Sequence, residues 1–124
     1  NRAMLLLAVL EKRGGLLLGN CDAYLNVIGG LSLDEPAADL AAMLALASSF
    51  RDKPVPSDLA AIGEVGLTGE LRAVSNLGQR LSEVRRLGFT KCLIPKRIQG
   101  KLAAPEGLEL IRVANIREAL AALL

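Results

Sequence analysis

Histidine and tryptophan are absent, and one tyrosine and two phenylalanines supply all the aromatic content of a 124-residue chain that is 52% apolar. Its core must be aliphatic. Without histidine the usual zinc sets and every His-based catalytic triad are excluded, and Cys21 and Cys92, far apart and in no CxxC, form neither a metal cluster nor a disulfide framework. Two free thiols suit a reducing cytoplasm. The longest uncharged apolar run, residues 40–50, falls well short of the roughly 18 residues a membrane span requires. We expect a soluble, cytoplasmic domain with no membrane partner. No basic n-region followed by a cleavage site opens the chain, so no export signal is expected, and the length fits a single domain over residues 1–124.

What is present is organised around residues 29–50. Gly29 and Gly30 close a strand, Asp34 or Glu35 can cap orphan amides, and Pro36 stands where a first-turn proline is tolerated. A helix starts here. Six alanines between Ala37 and Ala47 alternate with Leu40, Met43, Leu44 and Leu46, and no charge follows Asp39 until Arg51, so this helix is expected to be buried on most sides. Upstream, residues 2–13 read as a second apolar helix, ended by Gly14 and Gly15, and residues 16–28 as a hairpin across Gly19-Asn20-Cys21-Asp22.

Downstream, residues 59–65 are expected to form a strand that reverses at Gly66-Leu67-Thr68-Gly69 into a second arm, residues 70–74. An amphipathic helix follows. It runs over residues 76–87 with Leu77, Leu81, Val84 and Leu87 inward, and Gly88 stops it. Residues 89–95 read as a short buried strand, residues 96–101 as a basic turn or short helix, and residues 108–113 as a strand. Asn115 and Glu118 form a capping box for a last helix, residues 116–124. The fold class is α/β with a mixed sheet.

The net charge of +2 hides an asymmetry. Arg72, Arg80, Arg85, Arg86, Lys91, Lys96, Arg97 and Lys101 face Glu83 alone within residues 71–101. Such a segment suits a phosphate backbone or an acidic partner, and Lys96, Arg97 and Lys101, beside a chain reversal, are the first candidates for DNA contact, with Arg85 and Arg86 second. A solvated surface explains the charge equally simply. Asp34, Glu35 and Asp39 cluster at one helix start, where capping accounts for them better than a divalent ion, and no metal site is assigned. Ser32, Ser48, Ser49, Ser75 and Ser82, with Lys53 or Lys91 as bases, show no catalytic spacing.

At Asp34-Glu35-Pro36-Ala37-Ala38 and Gly63-Glu64-Val65-Gly66-Leu67-Thr68-Gly69 the chain resembles the proteolytic domain of Lon-type peptidases. In that family a serine at the helix start is the nucleophile and a lysine the base. The resemblance puts Ala37 at the serine position and Gly78 at the lysine position, which implies a Lon-like fold without Ser-Lys acyl transfer. Asp39 stands where the family has a glycine, and this places a carboxylate near a developing oxyanion. Through Asn1-Arg2, Leu6 to Arg13, Asp34 to Leu40, Ala47 to Asp52 and Gly63 to Glu70, the chain is also similar to the bacterial DNA repair family RadA, also called Sms.

That second resemblance implies a non-catalytic domain of a DNA-dependent repair and recombination ATPase, serving ring assembly and DNA contact during branch migration. The implied partners are single-stranded or branched DNA, further copies in a ring of six, and the recombinase RecA. ATP, magnesium and zinc belong, by the same resemblance, to a RecA-like core and a zinc motif, and these residues contain no GxxxxGK[ST] and no CxxC of their own. No cofactor is expected in this domain. The alternatives are a residual serine hydrolase of the Lon type using a displaced serine, and a pure protein-interaction scaffold.

Overall fold

The computed structural model describes Ala8, Val9, Arg13 and residues 35–123. The expected hairpin over residues 16–28, Gly29 and Gly30, Cys21, Ser32, Asp34 and the remainder of the 2–13 helix lie outside the described residues. Ala8, Val9 and Arg13 are helical, and Val9 packs into the core.

Glu35 has an extended backbone, and its carboxylate accepts a hydrogen bond from the Ala37 amide at 3.2 Å, so it caps the turn that Pro36 opens. The cap works as the sequence suggests. A 3-10 turn, Pro36–Ala38, runs directly into α1, Asp39–Arg51, on which Leu40, Met43, Leu44, Leu46 and Ala47 are buried. Ala41, Ala45 and Ser49 leave one side open.

The strand expected over residues 59–65 is two strands. β1, Leu59–Ala61, and β2, Glu64–Val65, are separated because the Ile62 amide still bonds to Leu93 in the sheet, whereas Gly63 turns away to the start of α1. There the Gly63 amide donates to the Ala37 carbonyl at 2.9 Å, and its carbonyl accepts from the Leu40 amide at 3.0 Å. β3 is shorter than expected, Leu71–Arg72, because the Leu71 amide leaves the hairpin to bond to Ala114. The helix over residues 76–87 is α2, Leu77–Arg86, with Leu87 exposed rather than inward, since Gly88 at φ +101° has already turned the chain.

β4, Lys91–Pro95, and β5, Glu109–Val113, follow, and α3, Ile116–Leu123, closes the described chain. Residues 96–101 form bends without a helix. Among the described residues, β1, β4 and β5 make a parallel sheet in that order and β2 with β3 makes an antiparallel ribbon, so parallel and antiparallel pairings both occur, as expected.

β4 lies between β1 and β5 and is apolar from Cys92 to Pro95, as befits a strand covered on both faces. Alternation sorts its side chains. Leu93 packs with Leu40, Met43, Ile116 and Leu120 from α1 and α3, whereas Cys92 and Ile94 pack with Leu77 and Leu81 from α2. Burial of each such leucine contributes about 1.5–3 kcal/mol. Burial also pushes the Cys92 thiol up to about 12, so it remains protonated and serves as a small core side chain.

Candidate functional site

The Gly63 hydrogen bonds hold the start of α1 against β2, and a hollow of about 310 Å³ opens there, lined by Glu35, Ala37, Glu64, Val74, Ser75 and Arg80 among others. A methyl group, not a hydroxyl, faces this space from the turn. Gly78 lies in the first turn of α2, exposed, and the position its Cβ would take has no atom within 4 Å. Arg80, one short step along the helix, reaches across: its Nη2 donates to Glu35 Oε1 at 3.1 Å and its Nε to the Ser75 carbonyl at 2.8 Å. A guanidinium carries donors only, so Arg80 offers Ser75 no proton acceptor. Among the described residues, no hydroxyl lining the hollow is hydrogen-bonded to a proton acceptor.

The sequence did not single out this ion pair, because its partners are 45 residues apart and no local spacing links them. Asp39 also departs from expectation. It stands in the first turn, one residue past the Ala38 N-cap: its carboxylate is fully buried, does not line the hollow, and accepts from the Val65 amide at 3.1 Å, which ties β2 to α1. Of the described serines the sequence offers, Ser48 donates to the Lys53 carbonyl, Ser82 donates to the Gly78 carbonyl, Ser49 is exposed away from the lining, and Ser75 is exposed at the rim of the hollow. No set of three metal-ligating side chains occurs among the described residues.

The basic segment divides between two ends of the sheet. Parallel β4 and β5 point the same way, so Phe89, Glu106 and Gly107, which precede them, lie at one end, and Lys96 and Arg97, which follow β4, lie at the other, roughly 15 Å away. Arg85 belongs to the first end. Half-buried over Gly107, it donates from Nε to the Glu106 carbonyl at 3.2 Å and from Nη1 to Phe89 at 3.4 Å, while Arg86 holds Glu83 with Nε at 3.0 Å from Oε2. Those bonds from Arg86 keep the Glu83 carboxyl below the usual carboxylate range. At the second end Lys96 reaches Glu118 at 3.9 Å, and Arg97 and Lys101 are exposed and make no ion pair among the described residues.

α3 begins at that second end. Its capping box forms: Asn115 Oδ1 accepts from the Glu118 amide at 2.8 Å, and Glu118 returns to the Ala114 amide at 2.9 Å. Arg117 sits in this first turn, where a cation opposes the helix dipole by about 0.3–1 kcal/mol. That misplacement is the signal in the sequence for a site that charge counting over residues 71–101 passes by. Arg117 and Arg13 line a second hollow of about 240 Å³ with Thr68, Gly69, Asn115 and Ile116.

A parallel sheet covered by helices on both faces, with a helix starting at a hairpin-closed hollow, defines a domain of the Lon peptidase class. The chain belongs to the family of Lon protease (S16) C-terminal proteolytic domains, whose model matches residues 22–124. It is similar to the DNA repair protein RadA of Bacillus subtilis (strain 168), with 56% identity over 120 residues that make up 97% of this chain and 26% of the relative. The RadA proteins of Streptococcus pneumoniae (strain ATCC BAA-255 / R6) and Listeria monocytogenes serovar 1/2a (strain ATCC BAA-679 / EGD-e) are 51% and 50% identical over 97% of this chain. The chain spans between 26% and 29% of the length of these three relatives.

Proposed function

We propose that this chain is a non-catalytic Lon-like domain acting in DNA repair, part of a recombination ATPase that it helps to assemble into a ring and for which it offers a DNA-contacting surface during branch migration. The observation that carries the reading is the identity of about half or more with DNA repair proteins over 97% of the chain, joined to a methyl group at Ala37 and a donor-only guanidinium, Arg80, in the hollow. ATP, magnesium and zinc are assigned to segments outside these residues, and RecA is a proposed partner of the whole. Ring formation, six-membered by resemblance, is supported by the open side of α1, where Ala41 and Ala45 border an apolar hollow of about 370 Å³ with Val55, Leu59 and Phe89. Sedimentation of the intact protein should show a closed oligomer, and a strictly monomeric particle with and without nucleotide rejects that part.

Contact with DNA is tested by replacing Lys96, Arg97 and Lys101 together with glutamine in the intact protein. Phosphate contacts release counterions without reading bases, so affinity should fall alike across sequences and the salt dependence should flatten by up to about three in slope. Unchanged affinity and slope return these residues to the solvated surface.

Peptidase chemistry should be absent and should not return easily. Ala37→Ser with Gly78→Lys restores two atoms of a dyad, but Glu35 lies beside Ala37 and its carboxylate would hold a nearby lysine protonated. The double variant is expected to remain silent toward unfolded protein and ester substrates. Serine-reagent-sensitive turnover by the unaltered protein would promote the residual hydrolase in its place.

A further inference from the structure

The hollow at the start of α3 is lined by two cations that lack counter-charges among the described residues. Arg13 and Arg117 both line it, both are exposed, and neither has an ion-pair or hydrogen-bond partner among the described residues. No acidic residue lines it among the described residues. The nearest carboxylates by sequence are already engaged: Glu70 accepts from Thr68 and Arg72, and Glu118 from the Ala114 amide with Lys96 beside it. Two guanidinium groups thus line one space, with no ion pair to offset their mutual repulsion among the described residues.

The backbone adds a donor to the same place. The Ile116 amide is bonded to Gly69, the Glu118 amide to Asn115 Oδ1 and the Ala119 amide to the Asn115 carbonyl, which leaves the Arg117 amide in the first turn without an acceptor among the described residues. An unpaired amide at a helix start favours an anion. Gly69 sets how closely the walls approach: it has φ +84°, and a Cβ there would come within 2.9 Å of the Arg13 Cβ and 3.2 Å of Ile116 Cγ2. A hollow of about 240 Å³ has the volume of roughly eight waters, enough for a phosphate group with its hydration partly retained.

We propose that this hollow receives one phosphate group of a nucleic-acid strand, held by the Arg13 and Arg117 guanidiniums and the Arg117 amide. Planar guanidinium forks match phosphate oxygens two at a time, which a lysine cannot do. The assignment to nucleic acid rests on the DNA-contact reading above, and on position: Lys96 and Arg97 leave β4 at the same end of the sheet at which β5 hands over to α3. A strand crossing that end would meet Lys96 or Arg97 and this hollow in succession. Free phosphates, such as a nucleotide tail or pyrophosphate, offer the same chemistry and are separated by the test.

The experiment measures binding of a labelled single-stranded oligonucleotide to the intact protein by fluorescence anisotropy over a salt series, with Arg13→Gln plus Arg117→Gln and with Arg117→Lys. The double variant should bind about tenfold more weakly with a slope shallower by about one to two, and Arg117→Lys should retain the slope but lose part of the affinity. An unfolding midpoint matching the unaltered protein separates this from loss of fold. If the unaltered protein binds DNA and the double variant binds equally well with the same slope, the hollow is not a phosphate site and the DNA reading stands. If the unaltered protein binds no DNA but binds pyrophosphate in an Arg117-dependent way, the DNA reading fails and the hollow is a site for free phosphates. Binding of neither ligand overturns both.

Discussion

Replacing Leu40 with alanine should lower the unfolding free energy by about 3 kcal/mol and the midpoint of thermal unfolding by roughly 10 °C. Leu40 is fully buried in the first turn of α1, its amide is bonded to Gly63, and its side chain lies 3.5 Å from where a Gly63 Cβ would stand. The site cannot collapse easily, because the backbone on both sides of it is hydrogen-bonded across the domain, so truncation leaves a cavity rather than a relaxed packing. Leu87→Ala is the control. That leucine is 62% exposed and its loss should change stability by no more than about 0.5 kcal/mol. Chemical denaturation of the two variants side by side decides the matter, and a Leu40→Ala cost below about 1 kcal/mol would show that α1 does not seat against β2 as described.

The neighbouring position should respond for a different reason. Asp39→Leu keeps the branched shape of the native side chain, with bulkier methyl groups in place of oxygens, but removes the acceptor for the Val65 amide, which would then be buried without a partner, at a cost of about 2–3 kcal/mol. Removing both members of a buried polar pair can be neutral, but here the backbone member cannot be removed. Asp39→Asn retains an oxygen that can accept the same bond and should lose appreciably less. Amide exchange at Val65 gives the direct readout: it should quicken markedly in Asp39→Leu and much less in Asp39→Asn. A neutral or stabilising Asp39→Leu would mean that the tie between β2 and α1 contributes nothing.

These two adjacent residues also mark how far the sequence can be read. Leu40 was legible, because it repeats with Met43, Leu44 and Ala47 in a stretch without charge, and helical periodicity alone predicts that they share the core. For Asp39 the sequence suggests only a carboxylate at a helix start, and the buried bond to Val65 goes unannounced. A carboxylate at a helix start has a local explanation ready, whereas its actual partner, the Val65 amide, lies 26 residues away and leaves no mark on the neighbouring sequence. The same distance effect conceals Arg80 and Glu35, and it let the segment of residues 71–101 pass for one basic face.

What the sequence determined by itself was every property set by neighbours along the chain: an aliphatic core imposed by the shortage of aromatics, the α1 and α2 periods, the Asn115–Glu118 cap, the Gly88 stop, and the family motifs around Ala37 and Gly63. Periodicity, capping and turn chemistry act over a few residues, so they are written where they act. Only the tertiary structure decided which charges share a surface. The direction of β4 and β5 sends Arg85 and Arg86 to one end of the sheet and Lys96 and Arg97 to the other, and it brings Arg13 and Arg117, more than a hundred residues apart in the chain, to one hollow. Parallel pairing is long-range by construction, since each strand returns only after a crossover, so the composition of a sheet end is fixed by topology and not by any local run of residues.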